Sequence, residues 1–430
     1  MAPLRIGIAG LGTVGTGVVR LLADNRESLV QRCGRPIELV AVAARNRDKK
    51  RDADLSAVRW HDDVTALARD PAVEVVVELI GGHDGAARAL VAEAIARKKP
   101  IVTANKALIA HRGNELAAAA ETAGIAFQFE AAVGGGIPII KALREGLAAN
   151  RIERVYGILN GTCNFILTTM DKTGRDFADV LGEAQARGYA EADPSFDIDG
   201  VDTAHKLAIL AAVAFGTPLN LGAVHIEGIR PVSAVDIAYA RELGYRIKLF
   251  GIARRTEHGL EQRVHPCMVA ETSAMAHVDG AFNAVTVDGN FVGRVVLEGA
   301  GAGAGPTASA VVGDIVDVAR GLRVPALGVR AQDLRALPVA AIERRLGAYY
   351  LRLEVADRPG VLADVAACLR DDEVSIESVL QRGRDPGERV SVIMTTHATL
   401  EAGMRRALAR IAALPAVQSP PCMIRIENEL

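Results

Sequence analysis

The chain opens with a short apolar segment, a glycine-rich turn and an apolar-periodic helix. Residues 4–9 read as a strand, and the helical pattern runs to about residue 24. Between them lies the spacing of a dinucleotide fingerprint, formed by Gly10, Gly12 and Gly15, with Thr13 and Val14 inside it. Such glycines permit a tight turn, close backbone approach to a pyrophosphate and helix–strand packing. The position directly after a first strand favours a cofactor-binding turn over a turn without a ligand.

The end of the second strand, residues 37–43, indicates which dinucleotide fits. An acidic residue normally binds the ribose at this place, but the chain continues with a basic run over residues 44–51. A basic cluster suits a 2′-phosphate, so the sequence favours NADPH over NADH. Arg45 is the candidate for the phosphate contact. The other basic residues of the run are predicted to lie in an ordinary solvated loop: Arg47, Lys49, Lys50 and Arg51.

Strands and helices alternate up to about residue 132, and this order predicts an α/β protein with a doubly wound, Rossmann-type parallel sheet. Ligands of such a sheet lie beyond the carboxyl ends of its strands. Lys106 follows the predicted strand of residues 100–103 and therefore lies at one of these ends. An exposed lysine in a turn explains its position equally well.

An acidic stretch, residues 188–206, contains five carboxylates and a single lysine. The apolar spacing from residue 199 predicts an amphipathic helix with the acids at its N-terminal end, where the helix dipole favours negative charge. Asp202 and Lys206 are four residues apart and would share one helical face. Such a site suits a small substrate with an ammonium group and a lysine placed for proton transfer. The alternative is a solvated, acid-capped helix start, although Glu191, Asp193 and Asp197 exceed what capping requires.

Two segments of small residues have more than one interpretation. Residues 130–138 contain three consecutive glycines after a strand, and such a run can hold a hard cation through carbonyl oxygens or form a hinge into a second domain. Spacing alone favours the hinge. Residues 299–310 alternate glycine and alanine before a helix, which is typical of a loop over a cofactor or of packing between domains.

A chain of 430 residues is too long for one ordinary core. We predict a dinucleotide-binding domain over residues 1–132, with a helix over 305–322 packing back on it. A mixed α+β catalytic and dimerisation domain follows over 133–322, and a linker over 323–348. The tail, residues 349–430, has the βαββαβ order of a ferredoxin-like module. It contains no catalytic constellation, so a sensing or dimerising role is the natural interpretation.

Composition argues against several protein classes. The formal net charge of −2 disfavours a nucleic-acid partner. The five cysteines are odd in number and lack metal-ligand spacing, which fits a reducing cytoplasm. Because neither a signal-peptide core nor an apolar run of bilayer length appears, we expect a cytoplasmic protein without a membrane partner.

With these motifs assembled, the chain resembles the homoserine dehydrogenases that carry a C-terminal ACT domain and no kinase domain. The resemblance covers nearly the whole length and rests on motifs in the same order: GLGTVGTG (10–17), TANKAL (103–108), EAAVGGGIP (130–138), NGTCN (160–164), the acidic stretch and GAGAGPTA (301–308). DRPGVL (357–362) and VSI (374–376) resemble ACT modules. Several ordered motifs are more specific than any single one.

The resemblance implies reversible, NAD(P)-dependent interconversion of L-homoserine and L-aspartate 4-semialdehyde in threonine, methionine and isoleucine biosynthesis. By this likeness Lys206 would donate a proton to the aldehyde oxygen, with Lys106 close to cofactor and substrate. Asp202 would hold the lysine and the substrate. Glu191 would bind the substrate ammonium, and Asp197 would support that network. The substrate would also contact Gly188, Asn160 and Thr162, and the cofactor would contact Gly303.

The same resemblance implies further ligands. A monovalent cation, Na⁺, would be held by the main-chain oxygens of Glu130, Val133, Gly135 and Ile137. The ACT tail would bind L-threonine as an end-product inhibitor. A homodimer or homotetramer is expected by analogy with other ACT proteins.

Two other functions compete with this interpretation. A dehydrogenase acting on a different amino-acid carbonyl would share the glycine fingerprint. A non-catalytic amino-acid sensor would use the ACT tail as its working part, but the paired lysines and the acidic stretch argue against it.

Overall fold

A computed structural model describes residues 2–382 and 389–430. Its first sheet has the strand order β3-β2-β1-β4-β5-β6, and every neighbouring pair is parallel. This is the doubly wound order, in which the strand sequence reverses beside β1 and opens a crevice there. The elements are β1 (Leu4–Ala9), α1 (Thr13–Asp24), α2 (Arg26–Cys33), β2 (Ile37–Ala43), β3 (Arg59–His61), α3 (Val64–Arg69), β4 (Val75–Glu78), α4 (Ala86–Ala96), β5 (Ile101–Thr103), α5 (Lys106–Ala123) and β6 (Phe127–Gln128).

A second, mixed sheet follows the path β12-β11-β7-β9-β10-β17-β13-β15-β14, with β8 beside β10 and β16 beside β13. Its elements are α6 (Ile139–Lys141), β7 (Ile152–Ile158), α7 (Gly161–Thr173), α8 (Phe177–Ala186), α9 (Ser195–Ile198), α10 (Val201–Phe215), β8 (His225–Ile226), α11 (Ala234–Glu242), β9 (Tyr245–Thr256), β10 (Gly259–Ala270), β11 (Phe282–Gly289), β12 (Gly293–Ala300), α12 (Ala304–Ala319), β13 (Leu346–Ala356), α13 (Val361–Asp371), β14 (Ile376–Gln381), β15 (Arg389–Thr396), β16 (Thr399–Leu400), α14 (Glu401–Ala412) and β17 (Cys422–Ile426).

The C-terminal module has the order β17-β13-β15-β14, which is the antiparallel ferredoxin-like arrangement. The predicted fold class is therefore confirmed: a Rossmann-type sheet, a mixed catalytic sheet and a C-terminal ACT fold. The strand β17 also pairs in parallel with β10, so the ACT sheet continues the catalytic sheet without a break.

The segment predicted as a linker ends earlier than expected. Strand β13 begins at Leu346 because Leu346 and Gly347 pair with β16, which extends the strand by three residues. The upstream part of this segment is hydrogen-bonded to β10. Leu260 N donates to Pro338 O at 2.8 Å, and Ala340 N donates to Leu260 O at 3.0 Å.

Helix α12 crosses from the second sheet to the first domain. Its residues Val311, Val312 and Ile315 share a buried cluster with Ile6 of β1 and Val18 of α1. A Cβ atom on Gly17 would lie 2.8 Å from Ala304 O, so the two helices approach at backbone distance. The small-residue loop before α12 thus lies beside the glycine fingerprint.

Helix α10 differs from the amphipathic helix that the spacing predicts. Residues 202–213 are all buried, because β7, β9 and β10 cover one side of the helix and α5 covers another. A helix buried all round belongs to the core of the protein. Its charged residues therefore lie inside the molecule. No helix within the described ranges is long and apolar enough to cross a membrane.

Candidate active site

Two lysines and one carboxylate form the centre of the site. Asp202 and Lys206 lie one turn apart on α10, and Lys206 Nζ is 2.8 Å from Asp202 Oδ2. Lys106 Nζ reaches the other oxygen, Asp202 Oδ1, at 3.0 Å. Lys206 Nζ also donates to the carbonyl oxygen of Leu159 at 2.7 Å. A single buried carboxylate thereby holds two ammonium groups from different domains.

The position of Lys106 is fixed by the helix cap that precedes it. Asn105 caps α5, because its Oδ1 accepts from Leu108 N at 3.1 Å. Asn105 N donates to Thr103 Oγ1 at 3.0 Å, and that hydroxyl donates to the buried Glu78 at 2.6 Å. Lys106 is consequently the first residue of its helix, at the carboxyl end of β5. This is the crevice edge where ligands of such sheets bind.

An amide joins the acidic loop to the lysine centre. Asn160 Nδ2 donates to Asp197 Oδ1 at 2.8 Å and to Asp202 Oδ2 at 2.9 Å. Its Oδ1 accepts from Cys163 N at 2.7 Å and so caps α7. Asp197 is further held by the Cys163 thiol, which donates to Asp197 O at 3.2 Å. One side chain thus holds two of the three acids of the predicted substrate set, Asp197 and Asp202.

The remaining predicted substrate residues lie on the loop between α8 and α9. Thr162 Oγ1 donates to Tyr189 O at 2.7 Å and fixes the start of this loop. Gly188 has φ of +76°, a left-handed conformation that favours glycine. Glu191 is exposed, and its charge contributes to a raised pKa of Lys106, behind the larger effect of Asp202.

The ionisation states follow from burial and pairing. Burial alone would raise the pKa of Asp202, but Lys206 and Lys106 hold it well below the ordinary value. Burial would lower the pKa of Lys106, yet its pairing with Asp202 outweighs burial and raises it. Burial and the neighbouring Asp202 raise the pKa of Asp197. A charged Asp202 between ammonium groups is the stable state of this centre.

The glycine fingerprint has the geometry that a dinucleotide requires. Gly10 has φ of +97°, and a Cβ there would lie 2.4 Å from Leu79 O. A Cβ on Gly15 would lie 2.0 Å from Gly10 O, so α1 packs directly on the turn. Gly12 faces open space, because a Cβ on it would have nothing within 4 Å. Thr13 and Val14 begin α1, and Gly303 is the N-cap residue that precedes α12, with φ of +118°.

The basic run after β2 is divided between two environments. Arg45 is exposed at the strand end. Lys49 and Lys50 are exposed and Arg51 is half-buried, and all three line one groove with Gly12 and Thr13. Arg51 Nε donates to Leu11 O at 3.2 Å, which ties the run to the fingerprint turn.

The predicted cation residues form one tight turn between the domains. Gly135 has φ of +58°, and a Cβ there would lie 2.3 Å from Gly301 O, so the turn packs on the loop before α12. Ile137 O accepts from Ile139 N at 2.8 Å, and a cation would use its second lone pair. Glu130 and Val133 occupy the N-terminal half of the same turn, and both are buried. Over residues 2–382 and 389–430 no cluster of three acidic, cysteine or histidine side chains is arranged for a metal.

Comparison with known proteins assigns family models to most of the chain. Three family models match the chain: "Homoserine dehydrogenase, NAD binding domain" over residues 10–130, "Homoserine dehydrogenase" over 138–316 and "ACT domain" over 349–416. The homoserine dehydrogenase of Neisseria gonorrhoeae is 49% identical, covering 100% of this chain and 99% of that protein. The chain belongs to the homoserine dehydrogenase family. It is thus related to oxidoreductases that act on a CH–OH group.

Other homoserine dehydrogenases are also similar to this chain. The homoserine dehydrogenase of Pseudomonas aeruginosa is 48% identical over the full length of both chains. A solved structure of the enzyme from Thiobacillus denitrificans is 50% identical, with a TM-score of 0.93, and covers 99% of this chain and 98% of that one. A hyperthermophilic archaeal homoserine dehydrogenase in complex with NADPH has 25% identity and a TM-score of 0.62, covering 75% of this chain and 99% of that one. The first domain accordingly binds a nicotinamide cofactor.

Sequence reasoning missed several residues around the centre. Phe196 lies beside Lys106, with Lys106 Nζ 5.6 Å from the ring centroid. His205 meets Phe196 edge-on, with ring centroids 5.4 Å apart. Burial, with a smaller effect of His111, lowers the pKa of His205 to about 4, so it adds no positive charge near neutral pH. The adjacency of His205 to Lys206 was the only sequence signal, and Phe196 had none beyond its place in the acidic stretch.

Glu130 gives a pH-dependent prediction. Burial, then the nearby Asp314, raises the pKa of Glu130 from 4.5 to about 7. A carboxyl with a raised pKa stabilises the fold at a pH below its unfolded pKa, and this contribution is lost as the pH rises through the folded pKa. As the pH rises from 4.5 to 7, the free energy of unfolding decreases by up to about 3 kcal/mol.

Glu130→Gln removes this titration. We expect the melting temperature of the variant, minus that of the wild type, to increase steadily between pH 4.5 and 7 in thermal unfolding. Glu257→Gln, at a side chain that is 86% exposed, is the control and should show a constant difference. A constant difference for Glu130→Gln would contradict the assignment.

Proposed function

We propose that the chain catalyses the reversible, NAD(P)-dependent interconversion of L-homoserine and L-aspartate 4-semialdehyde. The observation that carries this proposal is the Lys106–Asp202–Lys206 centre at the crevice edge of a nicotinamide-binding domain. The centre offers two ammonium groups to a substrate oxygen and acids to a substrate ammonium. The family relationship supports the same reaction.

Lys206 is the proposed proton donor to the aldehyde oxygen. A bound nicotinamide cofactor would supply the hydride, and negative charge would develop on the carbonyl oxygen of the substrate. Lys206 Nζ donates to Leu159 O and pairs with Asp202, so its direction is fixed before substrate arrives. Proton transfer from a positioned group contributes about 100- to 10,000-fold to a rate. In the reverse direction the neutral amine of Lys206 accepts the proton of the substrate hydroxyl.

Lys106 and the acids are proposed to orient the substrate. The side chain of Lys106 is 35% exposed, whereas that of Lys206 is 10% exposed, so Lys106 is the more accessible ammonium. Glu191 is proposed to bind the substrate ammonium, with Asp197 behind it. Asn160 holds Asp197 in place, and Thr162 fixes the start of the loop that carries Glu191. Gly188, at the left-handed turn of that loop, would leave room for the substrate.

NADPH is the proposed form of the cofactor, with NADH as an alternative. Gly10, Gly12, Gly15 and Gly303 would let the pyrophosphate approach the starts of α1 and α12. Thr13 and Val14 would present their main-chain N–H groups. Arg45 is the proposed 2′-phosphate ligand, and the groove that Lys49, Lys50 and Arg51 line with the fingerprint turn offers further positive charge.

The remaining proposals concern other ligands and assembly. Na⁺ would be held by the carbonyl oxygens of Glu130, Val133, Gly135 and Ile137, whose turn joins the two domains. L-Threonine is the proposed effector of the ACT module, in a pathway that supplies threonine, methionine and isoleucine. A homodimer is proposed through the edge strand β12, where Val296 and the neighbouring Phe282 and Phe291 are exposed. The proposed compartment is the cytoplasm.

A substrate panel tests the function. We expect purified protein to reduce NADP⁺ with L-homoserine, followed at the NADPH absorbance, and to oxidise NADPH with L-aspartate 4-semialdehyde. L-Serine, which is one methylene shorter than L-homoserine, is the matched amino alcohol and should give less than about a tenth of that kcat/KM, because a methylene change is worth about 10-fold or more in a shaped site. Faster oxidation of another amino alcohol would replace this proposal with a different amino-acid dehydrogenase.

Lys206→Ala tests the proton donor. We expect kcat to fall by about 100-fold or more, because the developing oxyanion loses its donor. NADPH affinity, measured by nucleotide fluorescence, should remain near the wild-type value. Lys172→Ala, a lysine of the same domain with a side chain that is 57% exposed, is the control and should keep full activity. Near-normal turnover of Lys206→Ala would remove the residue from its role.

Arg45→Ala tests the 2′-phosphate assignment. Because a charge-assisted contact to phosphate is lost, we expect KM for NADPH to increase by about fivefold or more, with little change for NADH. Lys50→Ala is the companion variant from the groove. A larger selective effect at Lys50 than at Arg45 would move the phosphate contact to the groove, and equal losses for both cofactors would contradict a phosphate contact at Arg45.

A further inference from the structure

A buried ion network joins the C-terminal module to the catalytic sheet. Arg425, in β17, is 1% exposed and lies between two carboxylates. Its Nε donates to Glu401 at 2.8 Å, at the first residue of α14. Its two terminal nitrogens donate to Glu227 at 2.7 and 2.8 Å, just after β8. Glu227 also pairs with Arg405 at 3.2 Å and with His225 at 2.7 Å.

The segment that begins at Glu227 lies against the acidic loop. Ile229 N donates to Ile198 O at 2.8 Å. A Cβ on Gly228 would lie 2.3 Å from Ile198 O and 2.6 Å from Asp199 Cα, so the two backbones are in direct contact. Arg230 Nη2 then donates to Ser195 Oγ at 3.0 Å. Residues 227–230 therefore hold both ends of α9.

Helix α9 contains Asp197, whose carboxylate accepts from Asn160 beside Asp202. A four-residue helix has little stability of its own, so its position depends on what packs against it. The contacts run without interruption from Arg425 through Glu227 and Gly228 to Ile198 and the adjacent Asp197. The lysine centre lies on α10 and α5, and this chain of contacts does not pass through it.

The geometry points to Glu227 as a positioning residue for substrate binding: held by Arg425, it keeps residues 227–230 against α9 and thereby keeps Asp197 on Asn160. The inference rests on the proposed function for the identity of the substrate. The same contacts would let the C-terminal module influence substrate affinity, because Arg425 and Glu401 both belong to that module.

Glu427 provides a matched control at the same seam, which is the junction of the C-terminal module with the catalytic sheet where β17 pairs with β10. Its carboxylate accepts from Arg263 at 2.6 Å and from Arg345 at 2.8 Å, and its side chain is 10% exposed. Its backbone N donates to Met268 O. Glu427 thus resembles Glu227 in chemistry and location, but its described hydrogen bonds do not reach residues 195–200 or 227–230.

The experiment compares Glu227→Gln with Glu427→Gln in the full-length chain. For Glu227→Gln we expect KM for L-homoserine to rise by about fivefold or more, because charge-assisted hydrogen bonds are lost, while kcat and the cofactor KM change by less than about twofold. Glu427→Gln should lower the melting temperature and leave KM for homoserine unchanged. An unchanged KM in Glu227→Gln, or an equal rise in both variants, would overturn the inference.

A second readout does not depend on activity. Hydrogen–deuterium exchange should show faster exchange of the amides of residues 195–200 in Glu227→Gln than in Glu427→Gln. This distinguishes failure of the inference from failure of the proposed function, which the wild-type assay with homoserine reports separately. Glu227→Asp keeps the charge and should give an intermediate KM. If the Gln variant is insoluble, the Asp variant decides: unchanged KM and unchanged exchange at residues 195–200 would overturn the inference.

Discussion

The site depends on one buried carboxylate that carries two cations. Asp202 is 3% exposed, and a lone charge at such a depth would be strongly unfavourable. Lys106 and Lys206 compensate it from opposite sides, and Asn160 supplies a further hydrogen bond. Removing Asp202 would leave both ammonium groups without their carboxylate, and removing either lysine would leave the buried Asp202 with a single cation. The three charges consequently form a unit that connects α5 of the dinucleotide domain to α10 of the catalytic domain.

The same principle recurs at the other end of the catalytic sheet. Strand β17 pairs with both β10 and β13, and the buried Arg425 on it and the buried Glu427 directly after it each lie among side chains of opposite charge. Each finds partners from both sides of the seam, including Arg263 of β10 and Glu401 of α14. Buried pairs of this kind fix geometry more than they add stability. The C-terminal module is therefore attached in one orientation, through hydrogen-bonded strands and paired charges.

Local features were predictable from the sequence, and non-local ones were not. The glycine spacing indicates the fingerprint, the spacing of Asp202 and Lys206 places them on one face, and strands β15 and β17 have the predicted bounds. The sequence did not predict the pairing of β17 with β10, because which strands pair depends on tertiary packing. The burial of α10 was not predicted either, because an alanine-rich spacing fits both a surface helix and a core helix. The short strand β3 carries too weak a pattern to be recognised.

The two lysines are not equivalent, and their surroundings indicate why both are present. The ammonium of Lys206 pairs with Asp202 and donates to the carbonyl oxygen of Leu159, so it has a fixed direction and little contact with solvent. Lys106 stands at the start of α5, partly open to the crevice and beside the ring of Phe196. Burial and the helix dipole both oppose a cation at this position, and pairing with Asp202 outweighs them and raises the pKa of Lys106. The enclosed lysine is suited to moving a proton along one direction, and the open one to sensing and orienting what enters the crevice.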